Sequence, residues 1–253
     1  MTEPSTLSQD RPARHVPPGT AIALSYRVVL RQLTSRGRII GLTLLALVAP
    51  LSGWALGTSD ASLDDSVRLV ASVGLGLVLP IVSLVFAGAA IGDLREDKTL
   101  VYLWLRPMDR WPIVVGAALA ATTLAAPITL VSIVAAALLT GAGSGIVGGT
   151  LLATVVGLVV YVSVFTLFGV WLKRFIVWGL AYILIWEGFI AQAGPGVARV
   201  AMRAYTRSIL VERTGADLDL ADYSLAMGVV VPIVVAGAAL ALASWRLSHQ
   251  DID

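Results

Sequence analysis

Apolar residues in this chain fall into long runs that stay hydrophobic all the way round a helix, separated by short polar breaks. A hydrocarbon core about 30 Å thick is crossed by about 20 apolar residues in a helix that rises about 1.5 Å per residue. Six runs reach that length, approximately 39–57, 67–92, 112–140, 146–172, 175–193 and 224–246. The fourth and fifth nearly fuse, but one helix from Ile146 to Ala193 would be roughly 70 Å long, more than twice the core. Lys173 and Arg174 must therefore mark a turn. The pattern predicts an all-α polytopic membrane protein of six transmembrane helices. A single transmembrane domain covers 20–246, between a disordered cytoplasmic tail over 1–19 and a short cytoplasmic tail over 247–253.

Charge adds orientation. Only 13% of the residues are charged, against about 25% in a soluble domain. With the amino terminus inside, 13 of the 18 Lys and Arg residues are cytoplasmic; Arg68, Arg199, Arg203, Arg207 and Arg213 fall outside. That bias predicts both termini in the cytoplasm of a multi-pass protein of the cell membrane. Trp54 and Trp186 then lie toward the outer interface and Trp111, Trp171, Trp178 and Trp245 toward the inner one, where indoles prefer to sit. A secretory signal would carry its apolar core nearer the start, so the polar opening "MTEPSTLSQDRPARHVPPG" is expected to stay uncleaved. After it, Ile22, Tyr26, Val29, Leu30 and Leu33 share one helical face, Arg27, Arg31 and Arg38 take others, and Thr20 is placed to cap. This predicts an amphipathic helix on the inner leaflet; a helical basic flank is the plainer reading.

The residues exclude several chemistries. There is no cysteine, hence no disulfide framework and no thiolate nucleophile or ligand. A phosphate-binding loop needs lysine after glycine, whereas Lys98 follows Asp97 and Lys173 follows Leu172. Both histidines, His15 and His249, lie in the tails, away from any intramembrane nucleophile. No His or carboxylate cluster within the runs makes a metal cage, and Asp60, Asp64 and Asp65 read as solvated charge in a short loop. The scattered basic residues form no phosphate-tracking stripe, so no nucleic-acid partner is expected. The chain reads as no enzyme.

The most charged internal stretch, "DLREDKTLVYLWLRPMDRWP" over 93–112, encloses the apolar island "LVYLWL". Asp97 or Thr99 can cap a short helix from near Leu100, and Pro107 stops it after Arg106. Leu100, Leu103 and Trp104 share a face, and two turns this apolar are marginal in water unless something covers them. From the residues alone, that cover is either the inner leaflet or a cytoplasmic partner.

The stretch "EDKTLVYLWLRPMDRW" resembles the loop of ABC-2 type permeases: an acidic residue, glycine, Thr-Leu, a further leucine, and then a Pro-x-x-Arg element. Glu96, Thr99, Leu100, Leu103, Pro107 and Arg110 occupy the matching positions, and Lys98 stands where the pattern has glycine. The resemblance extends to the basic leading helix, the six runs, the two-residue turn at Lys173–Arg174, the longer segment before the last run, and "WEGFIAQAGPG" from Trp186. It implies the membrane subunit of an ABC exporter, with Leu100 to Arg106 as a coupling helix whose Leu103, Trp104 and Arg106 meet an ATPase subunit. It further implies two ATPase copies and a second permease copy, as a homodimer or with a related chain. ATP and Mg would then be bound by the partner, with no cofactor in this chain.

Glu187 is the one acid well inside an apolar run, a candidate for the translocation route by the cost of burying a carboxylate; a structural hydrogen bond is the other reading. Arg199, Arg203 and Arg207 recur every four residues and predict a basic stripe on a short outer helix between the fifth and sixth runs, touching lipid or substrate. Gly74, Gly76, Gly88 and Gly92 suit close helix contacts, and Pro80, Pro127 and Pro232 suit kinks. Two function classes remain open: export of an amphipathic, lipid-like or drug-like compound, and a stand-alone membrane protein acting as an ion-coupled carrier through Glu187 or as an assembly scaffold. The charge bias makes a direct prediction. Cysteines placed one at a time at Ser5 and Asp109 stay unlabelled by an impermeant thiol reagent in intact cells, and one at Ser62 is labelled; the reverse pattern inverts the topology.

Overall fold

A computed structural model describes residues 17–59, 61–96, 109–218 and 223–249. Among them the regular structure is helical throughout, and five helices are long and apolar enough to cross a membrane. The chain is an all-α, multi-pass membrane protein. We number the helices α1 (Pro18–Leu33), α2 (Arg36–Gly57), α3 (Leu63–Arg95), α4 (Trp111–Leu139), α5 (Ser144–Trp171), α6 (Phe175–Glu187), α7 (Met202–Thr214) and α8 (Leu225–Ser248). The five long ones are α2, α3, α4, α5 and α8.

The helix ends follow local chemistry. Ser62 and Asp65 form a capping box that starts α3, and Ser224 accepts from the Met227 N–H at the start of α8. Asp64 accepts from the Asp217 N–H at 3.2 Å and Asp65 bonds with Ser62, so both carboxylates are held in place at this end. Between α4 and α5 the chain reverses through Gly141 and Gly143, both at positive φ that glycine alone adopts without strain. Lys173 and Arg174 make the expected turn between α5 and α6.

Helix α5 is the hub: 67% of its apolar window is buried within the chain, against 22% for α2 and for α8, which leave most of their apolar surface facing outward. It packs against α3, α4, α7 and α8. Small residues make the approach close. A Cβ on Gly169 of α5 would run into the Gly88 carbonyl oxygen of α3, and one on Gly53 of α2 would lie 2.5 Å from the Ala136 oxygen of α4. Without a hydrophobic drive between helices in lipid, such backbone-level contact supplies the dispersion energy that holds them. Pro127 and Pro232 remain inside α4 and α8, while Pro80 lies between two wide-turn π-helical stretches of α3, Val70–Val78 and Leu84–Gly88.

Two expectations need correction. Helix α1 begins at Pro18 with no side-chain cap, so Thr20 does not cap it. Its buried positions are Ala21, Ser25, Val29 and Leu33, a four-residue spacing that packs on α4; the Gly116 position of α4 lies so close that a Cβ there would be 2.8 Å from the Ile22 oxygen. The helix is thus docked on protein through one face, with Arg27 and Arg31 exposed on others. The second correction concerns the run 175–193. The long helix ends at Glu187, and the rest of the run belongs to a link that holds only a 3-10 turn, Ile190–Gln192, and a single helical turn, Pro195–Ala198.

The glycine contacts predict that Gly169→Ala destabilises the bundle by about 1–3 kcal/mol, the usual cost of overpacking, read as a lowered melting temperature of the purified protein. An unchanged melting temperature would mean that α3 and α5 are further apart than described.

Candidate functional site

Helices α6 and α7 run in series along their neighbours. Along α3, Phe175 sits at Gly88 and Gly92, Gly179 at Leu84, and Arg203 at Gly76. Along α5, Glu187 meets Tyr161, Thr206 sits at Gly157, and Arg213 at Gly149. As the numbers rise through α6 and α7, those of both neighbours fall. The pair therefore traces one antiparallel path, interrupted over 188–201. At 13 residues, α7 rises roughly 20 Å, too little for a core about 30 Å thick, and α6 is no longer.

The break is organised around Glu187, which is 2% exposed. Its carboxylate accepts three hydrogen bonds. Tyr161 of α5 donates to Oε2, Tyr182 of α6 donates to Oε1 at 2.8 Å, and the Met202 N–H at the start of α7 donates to Oε1 at 3.1 Å. Tyr182 reaches Glu187 five residues ahead because Tyr182–Glu187 is wound as a π-turn. Five residues advance about 140° beyond a full turn in an α-helix, and the wider turn brings the two side chains nearer one face. Phe165 and Phe168 of α5 wall the phenols, with ring centroids 6.2 Å and 5.9 Å from Tyr182. The carboxylate thus ties the last turn of α6, the middle of α5 and the first amide of α7. An anion at a helix N-terminus also meets the positive end of the helix dipole.

Beyond Glu187 lies a small recess, half open to the outside and with room for about one water molecule, lined by Glu187, Arg203, Arg207 and the small side chains of Ala191, Ala198, Ala201 and Ala204. Arg199, Arg203 and Arg207 thus do not form one stripe on a single outer helix. Arg199 lies before α7 and is exposed, whereas Arg203 and Arg207 are on α7 and line the recess. Helix α7 buries Met202, Ala204, Tyr205, Thr206, Ser208, Ile209 and Leu210, and it packs on α3, α5 and α8.

At the far end of the bundle, three arginines tie helix ends together. Arg38 of α2 pairs with Asp93 of α3 at 2.7 Å. Arg95 donates to the Val170 carbonyl at the end of α5 at 2.9 Å, and Arg110 donates to the Leu247 and Ser248 carbonyls at the end of α8, each at 3.0 Å. A cation on the free carbonyls of a last turn satisfies them and complements the dipole. Of the residues matched to the permease loop, Arg110 is thus engaged within the chain. Glu96 follows directly on α3, as the last described residue before the segment between α3 and α4, and Thr99, Leu100, Leu103, Trp104, Arg106 and Pro107 lie outside the described residues.

No model of a known protein family matches the chain, and no curated protein matches it. The partners of Glu187 were absent from the sequence reading. The signal available for two of them was a phenol inside each of two apolar runs, at Tyr161 and Tyr182; the Met202 amide leaves no trace in sequence.

The site predicts an order of stabilities. Glu187→Ala leaves two hydroxyls and an amide buried without an acceptor, at about 1–3 kcal/mol each. Glu187→Gln keeps one acceptor oxygen and loses less. Melting temperatures in the order wild type, Gln, Ala follow if the carboxylate braces the break; equal values for all three would contradict it.

Proposed function

We propose that this chain is the membrane subunit of an ATP-driven exporter of the ABC-2 permease type, moving an amphipathic, lipid-like or drug-like compound outward on the energy of a separate ATPase. The chain crosses the membrane six times with both termini in the cytoplasm, and α6 and α7 together make the fifth crossing. Two copies, or one copy and a related chain, assemble with two ATPases that bind ATP and Mg.

The observation that carries this reading is how the residues flanking the 97–108 loop are attached. On one side, Asp93 and Arg95 hold α2 and the end of α5; on the other, Arg110 holds the end of α8. A force applied to the loop therefore reaches three helices directly. One of them, α5, carries Tyr161 and so leads to the break at Glu187. A loop with an apolar island between such attachments suits a lever moved by a partner. ATP binding closes the two ATPases, shifts the coupling helix over Leu100 to Arg106, and reorients the bundle.

The interrupted crossing with an acid at its break also supports a second reading, an ion-coupled carrier, since carriers place their sites at such breaks. Against it stand the three donors that already occupy the Glu187 carboxylate.

The two separate experimentally. Truncating buried aromatic or aliphatic anchors at an interface commonly costs about 2 kcal/mol or more each. Leu103→Asp with Trp104→Ala is therefore expected to abolish co-purification of the ATPase while insertion and assembly in the membrane persist. Wild-type recovery of the ATPase with coupling intact would refute the reading, and ion-driven transport by the purified chain alone would favour the carrier.

A further inference from the structure

The recess at the break holds a guanidinium that faces the Glu187 carboxylate across it but makes no hydrogen bond or ion pair with any described residue. The Arg203 guanidinium lies flat over Gly76 of α3, where a Cβ would come within 2.6 Å of Cζ and 2.7 Å of Nη2. Glycine at that position is what lets the group lie there. Its Nε is buried without a hydrogen-bond partner, and the side chain makes no hydrogen bond or ion pair with a described residue. The nearest carboxylate, Glu187, is already engaged by Tyr161, Tyr182 and the Met202 amide. Of the charged groups lining the recess, Arg203 and Arg207 outnumber Glu187 by one. A half-buried guanidinium whose donors lack hydrogen-bond acceptors is costly inside a membrane bundle, and such groups mark ligand or ion pathways. Four alanines line the recess beside it, which opens to the outside, so a head group can reach the guanidinium at its mouth.

We propose that Arg203, with Arg207, forms an oxyanion-binding site at the mouth of this recess, taking the phosphate or carboxylate head of an amphipathic molecule. The planar guanidinium presents paired donors that match such a group bidentately, which an ammonium cannot do. Glu187 is the positioning residue: by gripping the Met202 amide it sets the start of α7, one residue before Arg203. Its own negative charge raises the cost of a second anion, so the recess favours one anionic group. As the head-group contact of an exported substrate, the site rests on the transport reading above; as a binding site it does not.

The test uses the full purified chain without any ATPase, so its outcome is separate from that of the coupling experiment. Phosphatidic acid is titrated against phosphatidylcholine in detergent, with inorganic phosphate as competitor and native mass spectrometry as the readout. The wild type binds phosphatidic acid in preference. Arg203→Ala weakens binding about tenfold or more, the scale of a lost charge-assisted pair. Arg203→Lys, which keeps charge without the fork, loses an intermediate amount. Gly76→Ala pushes the guanidinium aside without removing it and weakens binding similarly, which decides the matter if Arg203→Ala does not fold. Arg213→Ala, on the exposed far end of α7, stays within about twofold of wild type. Displacement by millimolar phosphate, dependent on Arg203, identifies a free oxyanion as sufficient ligand; its absence assigns the site to the lipid head group. Binding unchanged in both Arg203→Ala and Gly76→Ala, or lost equally in Arg213→Ala, overturns the proposal.

Discussion

Inside a hydrocarbon core every backbone N–H and C=O must find a partner within the protein, because no solvent offers one. If α6 and α7 make one crossing, as proposed, a chain whose long helix ends at Glu187 and whose next one starts at Met202 incurs a cost at both ends. Much of this architecture can be read as the answer to that cost. The carboxylate takes the first amide of α7, and two phenols from α5 and α6 hold the carboxylate. The π-turn at Tyr182–Glu187 and the aromatic wall of Phe165 and Phe168 place those phenols. One acid thus lets the path along α3 and α5 break and resume in the same direction inside the bundle, and the recess beside Arg203 lies at that break.

The opposite end answers the same constraint with cations. The last carbonyls of α5 and α8 are taken by Arg95 and Arg110, which stand at the two sides of the segment between α3 and α4. In the proposed exporter this economy has a mechanical consequence, since the groups that satisfy the helix ends also attach the loop to them. Helix α5, buried along most of its length, then runs from the Arg95 attachment to Tyr161 without a break. Small shifts at one end have a rigid element through which to reach the other.

The long apolar runs made the class of protein and five of its helices legible, because a helix in lipid needs only length and apolarity to declare itself. The Lys173–Arg174 turn was legible for the same reason. What escaped was whatever depends on a partner in space. The run 175–193 looked like one span because Gly188, Phe189 and Ile190 are as apolar as a helix interior, and the break is set by the Glu187 network. Arg199, Arg203 and Arg207 read as one stripe on an outer helix because four-residue spacing fits any helix, and only the structure shows that Arg199 lies before α7. Thr20 looked like a cap, but Pro17 and Pro18 already start α1 at a fixed φ. Glu187 itself was visible as an intramembrane acid, and its role as a brace follows only from the three donors around it.

The account stands on α7 lying inside the bundle, antiparallel to α5. The chain has no cysteine, so a cross-link reports on introduced pairs alone. A Cβ at Gly149 would lie 3.1 Å from that of Arg213, within relaxation of the roughly 3.5–4.5 Å that a disulfide spans. Gly149→Cys with Arg213→Cys, oxidised in native membranes, is therefore expected to form an intramolecular disulfide. Gly157→Cys with Arg213→Cys, displaced by roughly 12 Å along α5, is expected to form none. No cross-link in the first pair, with the cysteine at 213 reacting freely, would place α7 outside the bundle and contradict the account.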